Sequence, residues 1–193
     1  MSKLLILSAG VSEDSNNTKL AKKLNKFLDE KSVPNEIHEN LYENIPFLLD
    51  NQKDVPKKIL EIRKSLENSD KIIIFSPVYN GGFLAHLKNT LDWLSLAYDD
   101  NRYNSLFKDK TVGVITSVRG AGGNAQNAFN ILSAQLMNYG FRVFEEFHLI
   151  TNKEHQEDTS IEENQKVFEN ITQYVNRFLD LSLIHISEPT RPY

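Results

Sequence analysis

Ser15, Asn17 and Thr18 stand together where a short apolar run gives way to an amphipathic one. Lys3–Ser8 is nearly continuous in apolar residues and reads as a buried strand. Leu20, Ala21, Leu24, Phe27 and Leu28 then recur at helical spacing. A strand, a small polar loop and a helix start aim backbone N–H groups and the positive end of a helix at one point, which suits an anion. The hydroxyls of Ser15 and Thr18 and the amide of Asn17 add donors there. Ser15 or Asn16 would equally cap the helix, and taken alone capping is the simpler reading. A second stretch, Ser76-Pro77-Val78-Tyr79-Asn80-Gly81-Gly82, follows the apolar run Ile72–Phe75. Pro77 holds the loop off the strand, Gly81 and Gly82 permit close backbone approach, and Tyr79 offers a flat apolar face. Pro, Asn and Gly are also ordinary turn residues. A third stretch, Val118-Arg119-Gly120-Ala121-Gly122-Gly123-Asn124, follows the apolar run Thr111–Ser117.

The elements that position these loops alternate. Strands are expected at Lys3–Ser8, Pro34–Leu41, Ile72–Phe75, Thr111–Ser117 and Phe141–Ile150. Helices are expected after the first loop, from Pro56 to about Asn68, over Phe83–Leu94, over Ala125–Tyr139 and over Ile161–Leu179. Five β-α repeats imply a parallel sheet with helices on both faces. The right-handed crossover rule leaves a doubly wound five-stranded sheet of order 2-1-3-4-5 as the natural arrangement. In that order the loops after strands one, three and four share one edge, at the topological switch point. Tyr42–Asp54 is irregular, and its apolar patch Phe47-Leu48-Leu49 either lies over the sheet or projects toward a partner. The helix after the second loop carries broad apolar coverage, wide enough for the sheet and a second subunit.

Composition excludes several classes. The chain has 193 residues, no cysteine and a formal net charge of −4. Disulfides, thiolate catalysis and cysteine-held metals are ruled out. Nothing basic suggests nucleic acid, and no apolar run reaches membrane-spanning length. Met1-Ser2-Lys3 leads into a strand without a signal peptide, so a cytoplasmic protein is expected. Asp99-Asp100 lacks further ligands at useful spacing and reads as a solvated loop. His86, alone on an apolar helix, reads as structural. Leu181–Arg191 resembles the in-frame translation of a sequencing-library transposon adapter. Residues 181–193 are therefore set apart from a single domain over 1–180.

One phosphate loop and two loops that grip something flat describe a mononucleotide site. Neither a dinucleotide fingerprint nor an ATP-type phosphate loop is present. At this point the sequence resembles the NAD(P)H-dependent FMN reductases of flavodoxin-like fold, a three-layer sandwich. The resemblance rests on Ser76–Gly82 continuing through Leu87-Lys88-Asn89-Thr90-Leu91-Asp92-Trp93-Leu94, on Ser15-x-Asn17-Thr18-x-Leu20-Ala21, and on Ser117 through Gly123.

The resemblance implies that Ser15, Asn17 and Thr18 bind the FMN phosphate, with Ser8 at the base of the loop. Pro77, Val78, Tyr79, Asn80 and Gly81 would line the isoalloxazine. Ser117, Gly120, Gly122 and Gly123 would hold its other side. Hydride would pass from NADPH or NADH to flavin N5 and on to a small acceptor, such as a flavin, quinone or azo compound. No metal and no catalytic side chain are then required. The helix with Leu91 and Trp93 would form the interface of a homodimer, or of a homotetramer. Many members carry an Arg in the first loop, where this chain has Ser12 beside Glu13 and Asp14; Arg119 is a second source of positive charge. Two other readings compete: a flavodoxin-like electron carrier without NAD(P)H oxidation, and a flavin-free interaction domain.

Overall fold

The computed structural model describes residues 3–50, 54–97, 102–153 and 160–184, the last four as backbone only. Five strands form one sheet: β1 (Lys3–Ser8), β2 (Asn35–His38), β3 (Ser69–Phe75), β4 (Thr111–Ser117) and β5 (Arg142–Ile150). They lie in the order β2-β1-β3-β4-β5, and every pairing is parallel. The helices are α1 (Asn16–Glu30), α2 (Lys57–Glu67), α3 (Ala85–Ser95), α4 (Ala125–Tyr139) and α5 (Gln165–Ile184). This is the doubly wound, flavodoxin-like sandwich expected from the β-α alternation.

Continuous apolar strands serve both faces because alternate residues point opposite ways. Leu5, Leu7, Ile72, Ile74, Val112 and Val114 pack with α2, α3 and α4. Leu4, Ile6, Ile73, Phe75 and Ile115 pack with α1 and α5. The pairing of β4 with β5 shifts register between Val112 and Val114. Tyr174 of α5 repairs the ladder there: its hydroxyl accepts the Val114 N–H at 2.9 Å and donates to the Glu146 carbonyl at 3.4 Å. Gly113 makes room for that ring, since a Cβ on it would stand 2.6 Å from the Tyr174 hydroxyl.

Several boundaries differ from the sequence expectation. β2 stops at His38, and Asn40 follows in a left-handed conformation (φ 54°), which ends an extended strand. β3 starts earlier, at Ser69, directly after the end of α2. A short 3₁₀ turn, Ile161–Glu163, precedes α5, and the α5 backbone continues through Ile184. Gly140 (φ 107°) closes α4, returning its N–H to the Met137 carbonyl while Phe141 N–H reaches Leu136.

The largest correction concerns α3. The helix with Leu91 and Trp93 was expected to form a subunit interface, but these two side chains are 0% and 1% exposed inside their own chain and so are not available to one. The irregular segment after β2 folds over this helix and covers it. Asn89 accepts the Leu48 N–H at 2.9 Å and donates to the Pro46 carbonyl at 3.0 Å. Trp93 donates its indole N–H to the same carbonyl at 2.8 Å. Held this way, the segment buries Ile45 and leaves Phe47 and Leu49 70% and 68% exposed. Lys88 and Asp92 pair on the same helix at 2.6 Å, and the Tyr139 hydroxyl donates to Asp92 at 2.5 Å. The spacing of Lys88, Asn89, Asp92 and Trp93 is thus explained by contacts that fasten α3 to its neighbours.

Candidate functional site

The C-terminal ends of β1, β3 and β4 meet at one edge and are stitched together there. Ala9 N–H donates to the Phe75 carbonyl at 2.8 Å, and Ser76 N–H to the Ile115 carbonyl at 3.1 Å. The Thr116 hydroxyl donates to the Ser76 carbonyl. His86, in the first turn of α3, bonds the Ala9 carbonyl through Nε2 at 3.1 Å, so that nitrogen carries the proton. Its ring also sits edge-on to Tyr42.

The β1–α1 loop closes around hydroxyls. Ser15 is the N-cap of α1 and accepts the Thr18 N–H at 3.3 Å. Its Oγ lies 2.9 Å from Thr18 Oγ1, to which the buried Ser8 hydroxyl donates at 3.4 Å. Both hydroxyls crowd Gly10: a Cβ there would fall 2.0 Å from Thr18 Oγ1 and 2.2 Å from Ser15 Oγ. The cap and the hydroxyl cluster are therefore one arrangement. The N–H groups of Asn16 and Asn17 open the helix, where a helix has no internal acceptor for them.

Asn17 departs from expectation. Its carboxamide is 2% exposed and is spent on Ser117, donating to the carbonyl at 3.0 Å and accepting the N–H at 3.0 Å. The expectation of a side-chain donor for an anion is thus corrected: the buried carboxamide holds Ser117.

The second loop is a tight turn. Tyr79 and Gly82 exchange both backbone hydrogen bonds at 3.0 Å. Asn80 (φ 50°) and Gly81 (φ 77°) between them are left-handed, the type I′ pattern for which Asn-Gly is favoured. Gly82 is not forced by space, because the nearest atom to an added Cβ is 3.8 Å away. Pro77 and Val78 are half-buried, while Tyr79 is 53% exposed. In the third loop Gly122 (φ 77°) makes the turn, with Leu149 and Thr151 beside it. Gly120 and Gly123 have no protein atom within 4 Å of an added Cβ. The Ser117 hydroxyl is buried and has no hydrogen-bond partner.

Three polar loops around one switch point suit a mononucleotide, and comparison with known proteins gives its kind. Residues 2–155 match the family model for NADPH-dependent FMN reductase. The chain belongs to that family. Solved structures share its fold. FerB, a flavoenzyme NAD(P)H:(acceptor) oxidoreductase from Paracoccus denitrificans, is 24% identical with a TM-score of 0.72, over 93% of this chain and 96% of that one. An azoreductase from Bacillus anthracis is 18% identical with a TM-score of 0.62, over 92% and 100%. Oxidised flavodoxin 2 from Bacillus cereus is 18% identical with a TM-score of 0.61, over 93% and 99%.

This reductase uses FMN as cofactor, with NAD(P)H as co-substrate, and its residues fit FMN. The hydroxyls packed on Gly10 and the first N–H groups of α1 suit a phosphate. The exposed Tyr79, the open glycines and the unpaired Ser117 hydroxyl suit a flat, polar-edged ring. Cations are scarce by contrast. Ser12, Glu13 and Asp14 are exposed. Lys19 and Lys22 are engaged by Glu162 at 3.6 Å and Glu39 at 3.0 Å. The Lys22 ammonium is held above its usual range, chiefly by its hydrogen bond to Glu39, with Glu13 and Asp14 adding to the effect.

Sequence reading passed over Gly10, whose only signal was its place after a strand; His86, read as structural, bonds a backbone carbonyl. Burial pushes the His86 imidazolium down, partly offset by its bond to Ala9. Asp99-Asp100 lies outside the described residues. Among the described residues no helix is long and apolar enough to cross a membrane, and no group of three His, Asp or Glu could hold a metal.

Proposed function

We propose that the three loops hold FMN in a fixed orientation and that the reductase passes electrons from NADH or NADPH to a small quinone, flavin or azo acceptor. The observation that carries this is the hydroxyl cluster on Gly10 at the start of α1, stitched to the Tyr79–Gly82 turn through Ala9 and Phe75. Ser15, Thr18 and the N–H groups of Asn16 and Asn17 take the phosphate, with Ser8 supporting Thr18 from below. Pro77, Val78, Tyr79, Asn80 and Gly81 form one wall for the ring. Ser117, Gly120, Gly122 and Gly123 form the other, with the Ser117 hydroxyl available to a ring heteroatom. Bound FMN supplies the hydride acceptance and the onward electron transfer. The chain's part is to orient the ring, leave one face open to nicotinamide and present N–H donors to its polar edge.

Negative charge on the phosphate is met by oriented N–H groups and the helix start rather than by a paired basic side chain of the first loop. The chain works as a cytoplasmic homodimer in this reading. Its contact is displaced from Leu91 and Trp93 to the exposed Phe47 and Leu49 beside the Asn89–Trp93 clamp.

An absorbance spectrum of the purified protein with added FMN, followed by NADH and NADPH oxidation against a quinone, free FMN and an azo dye, tests the reading. Flavin bands with acceptor-dependent oxidation are expected. Bound flavin without NAD(P)H oxidation would make the protein an electron carrier instead. Sedimentation of Phe47→Asp tests the assembly, with a shift to monomer expected.

A further inference from the structure

The Asn17 carboxamide makes both of its hydrogen bonds to one residue a hundred positions away. Ser117 ends β4, and its backbone groups there face the side of β3. The β3–β4 ladder runs through Phe75 and Ile115, with Ser76 N–H still reaching the Ile115 carbonyl. Two residues on, the chain has turned away at Pro77, so β3 offers Ser117 no strand partner. Asn17 takes that vacated place. One carboxamide donor and one acceptor replace the N–H and C=O of a strand residue. Both ends of the contact are buried, with Asn17 2% and Ser117 4% exposed.

We infer that Asn17 is a positioning residue: its carboxamide is a strut that fixes the phosphate end of the site at the start of α1 against the ring end at the root of the Ser117–Asn124 loop. This rests on the placement of FMN given above. The strut sets the distance a single ligand must span, so the two ends are organised before binding. It also distinguishes Asn17 from Ser15 and Thr18, whose hydroxyls face the crowded Gly10 loop itself.

The test compares FMN with riboflavin, which has the ring but no phosphate, on Asn17→Ala and Asn17→Asp. A strut serves both ligands. Asn17→Ala should weaken FMN and riboflavin alike, each by about ten-fold. Loss confined to FMN, with riboflavin unchanged, would make Asn17 a phosphate ligand and overturn the inference. Asn17→Asp adds a pH signature. A protonated carboxyl has one donor and one acceptor, as the carboxamide does, whereas a carboxylate has two acceptors facing the Ser117 carbonyl.

The ratio of variant to parent riboflavin affinity should therefore climb toward one as pH falls from about 8 to about 5.5. Glu13, Asp14, Lys19 and Arg119 on the same loops and helix, and His86 on α3, are common to variant and parent, so the ratio isolates residue 17. A ratio independent of pH would overturn the inference. Melting of the flavin-free protein is the second readout. The Asn17→Asp deficit against the parent should narrow over the same range, and a constant deficit would count against the strut even if neither flavin binds. Absence of flavin binding by the parent would instead sink the placement of FMN.

Discussion

The β1–α1 loop and the β4–α4 loop end at the same sheet edge, yet they are built in opposite ways. The first is closed from within. Its hydroxyls bond one another over Gly10, Thr18 is fully buried, and His86 ties down Ala9. The second is held at its root, at Gly122 and by the Asn152 N–H, which donates to the Gly120 carbonyl at 3.2 Å. Gly120 and Gly123 have nothing within reach of an added Cβ. A phosphate needs donors fixed in direction, because its binding comes from aimed dipoles. A ring that must also admit a nicotinamide and an acceptor needs surface rather than enclosure. The contrast teaches that glycine does two jobs in one site: at Gly10 it removes a clash, and at Gly120 it leaves space.

That contrast can be broken most severely at Gly10. Gly10→Ala should drive Ser15 and Thr18 out of their arrangement and lower FMN affinity by about a hundred-fold. It should also destabilise the flavin-free protein by about 1–3 kcal/mol through lost buried hydrogen bonds. Fluorescence titration and chemical denaturation check both. Gly122→Ala comes next. A left-handed φ costs a non-glycine residue about 1–2 kcal/mol, so its denaturation midpoint should fall accordingly.

A smaller effect is expected with pH. Burial holds the folded-state pKa values of His86 and His38 below the ordinary 6.5, so the fold favours their neutral forms. The unfolded chain then binds more protons as pH drops. Their contribution is intact above about pH 6.5 and is lost as pH falls through the lowered folded values. Melting temperature should decline across that window, and the His38→Gln, His86→Gln double variant should flatten the slope. The smallest effect belongs to Gly120→Ala. Stability should stay within about 0.5 kcal/mol of the parent, with a modest change in FMN affinity that isolates ligand contact from folding. A Gly120→Ala defect as large as that of Gly10→Ala would erase the distinction between the two loops.

Legibility in the sequence followed the range of the interactions. Ser15 and Thr18 were readable because a cap and its helix lie within a few residues. The Asn80-Gly81 turn was readable because local sterics demand left-handed residues. Asn17 was assigned to the same cluster by proximity in the chain, and its partner turned out to be Ser117. The helix that carries Asn89 and Trp93 had apolar coverage broad enough for the sheet and a second subunit. Their polar atoms belong to Pro46 and Leu48, more than forty residues back. An apolar stripe says that a helix must be covered, not by what.

The sequence by itself determined the β-α alternation, the strand order and the three loops at one edge. Buried apolar runs, helical periodicity and handed crossovers leave little choice there. Tertiary structure alone decided which polar groups face the site and which hold it together. Asn17, Asn89 and Thr18 are all small polar residues at the starts of helices or within them. Each is sorted by the backbone group that happens to lie opposite, and only the folded chain brings that group near.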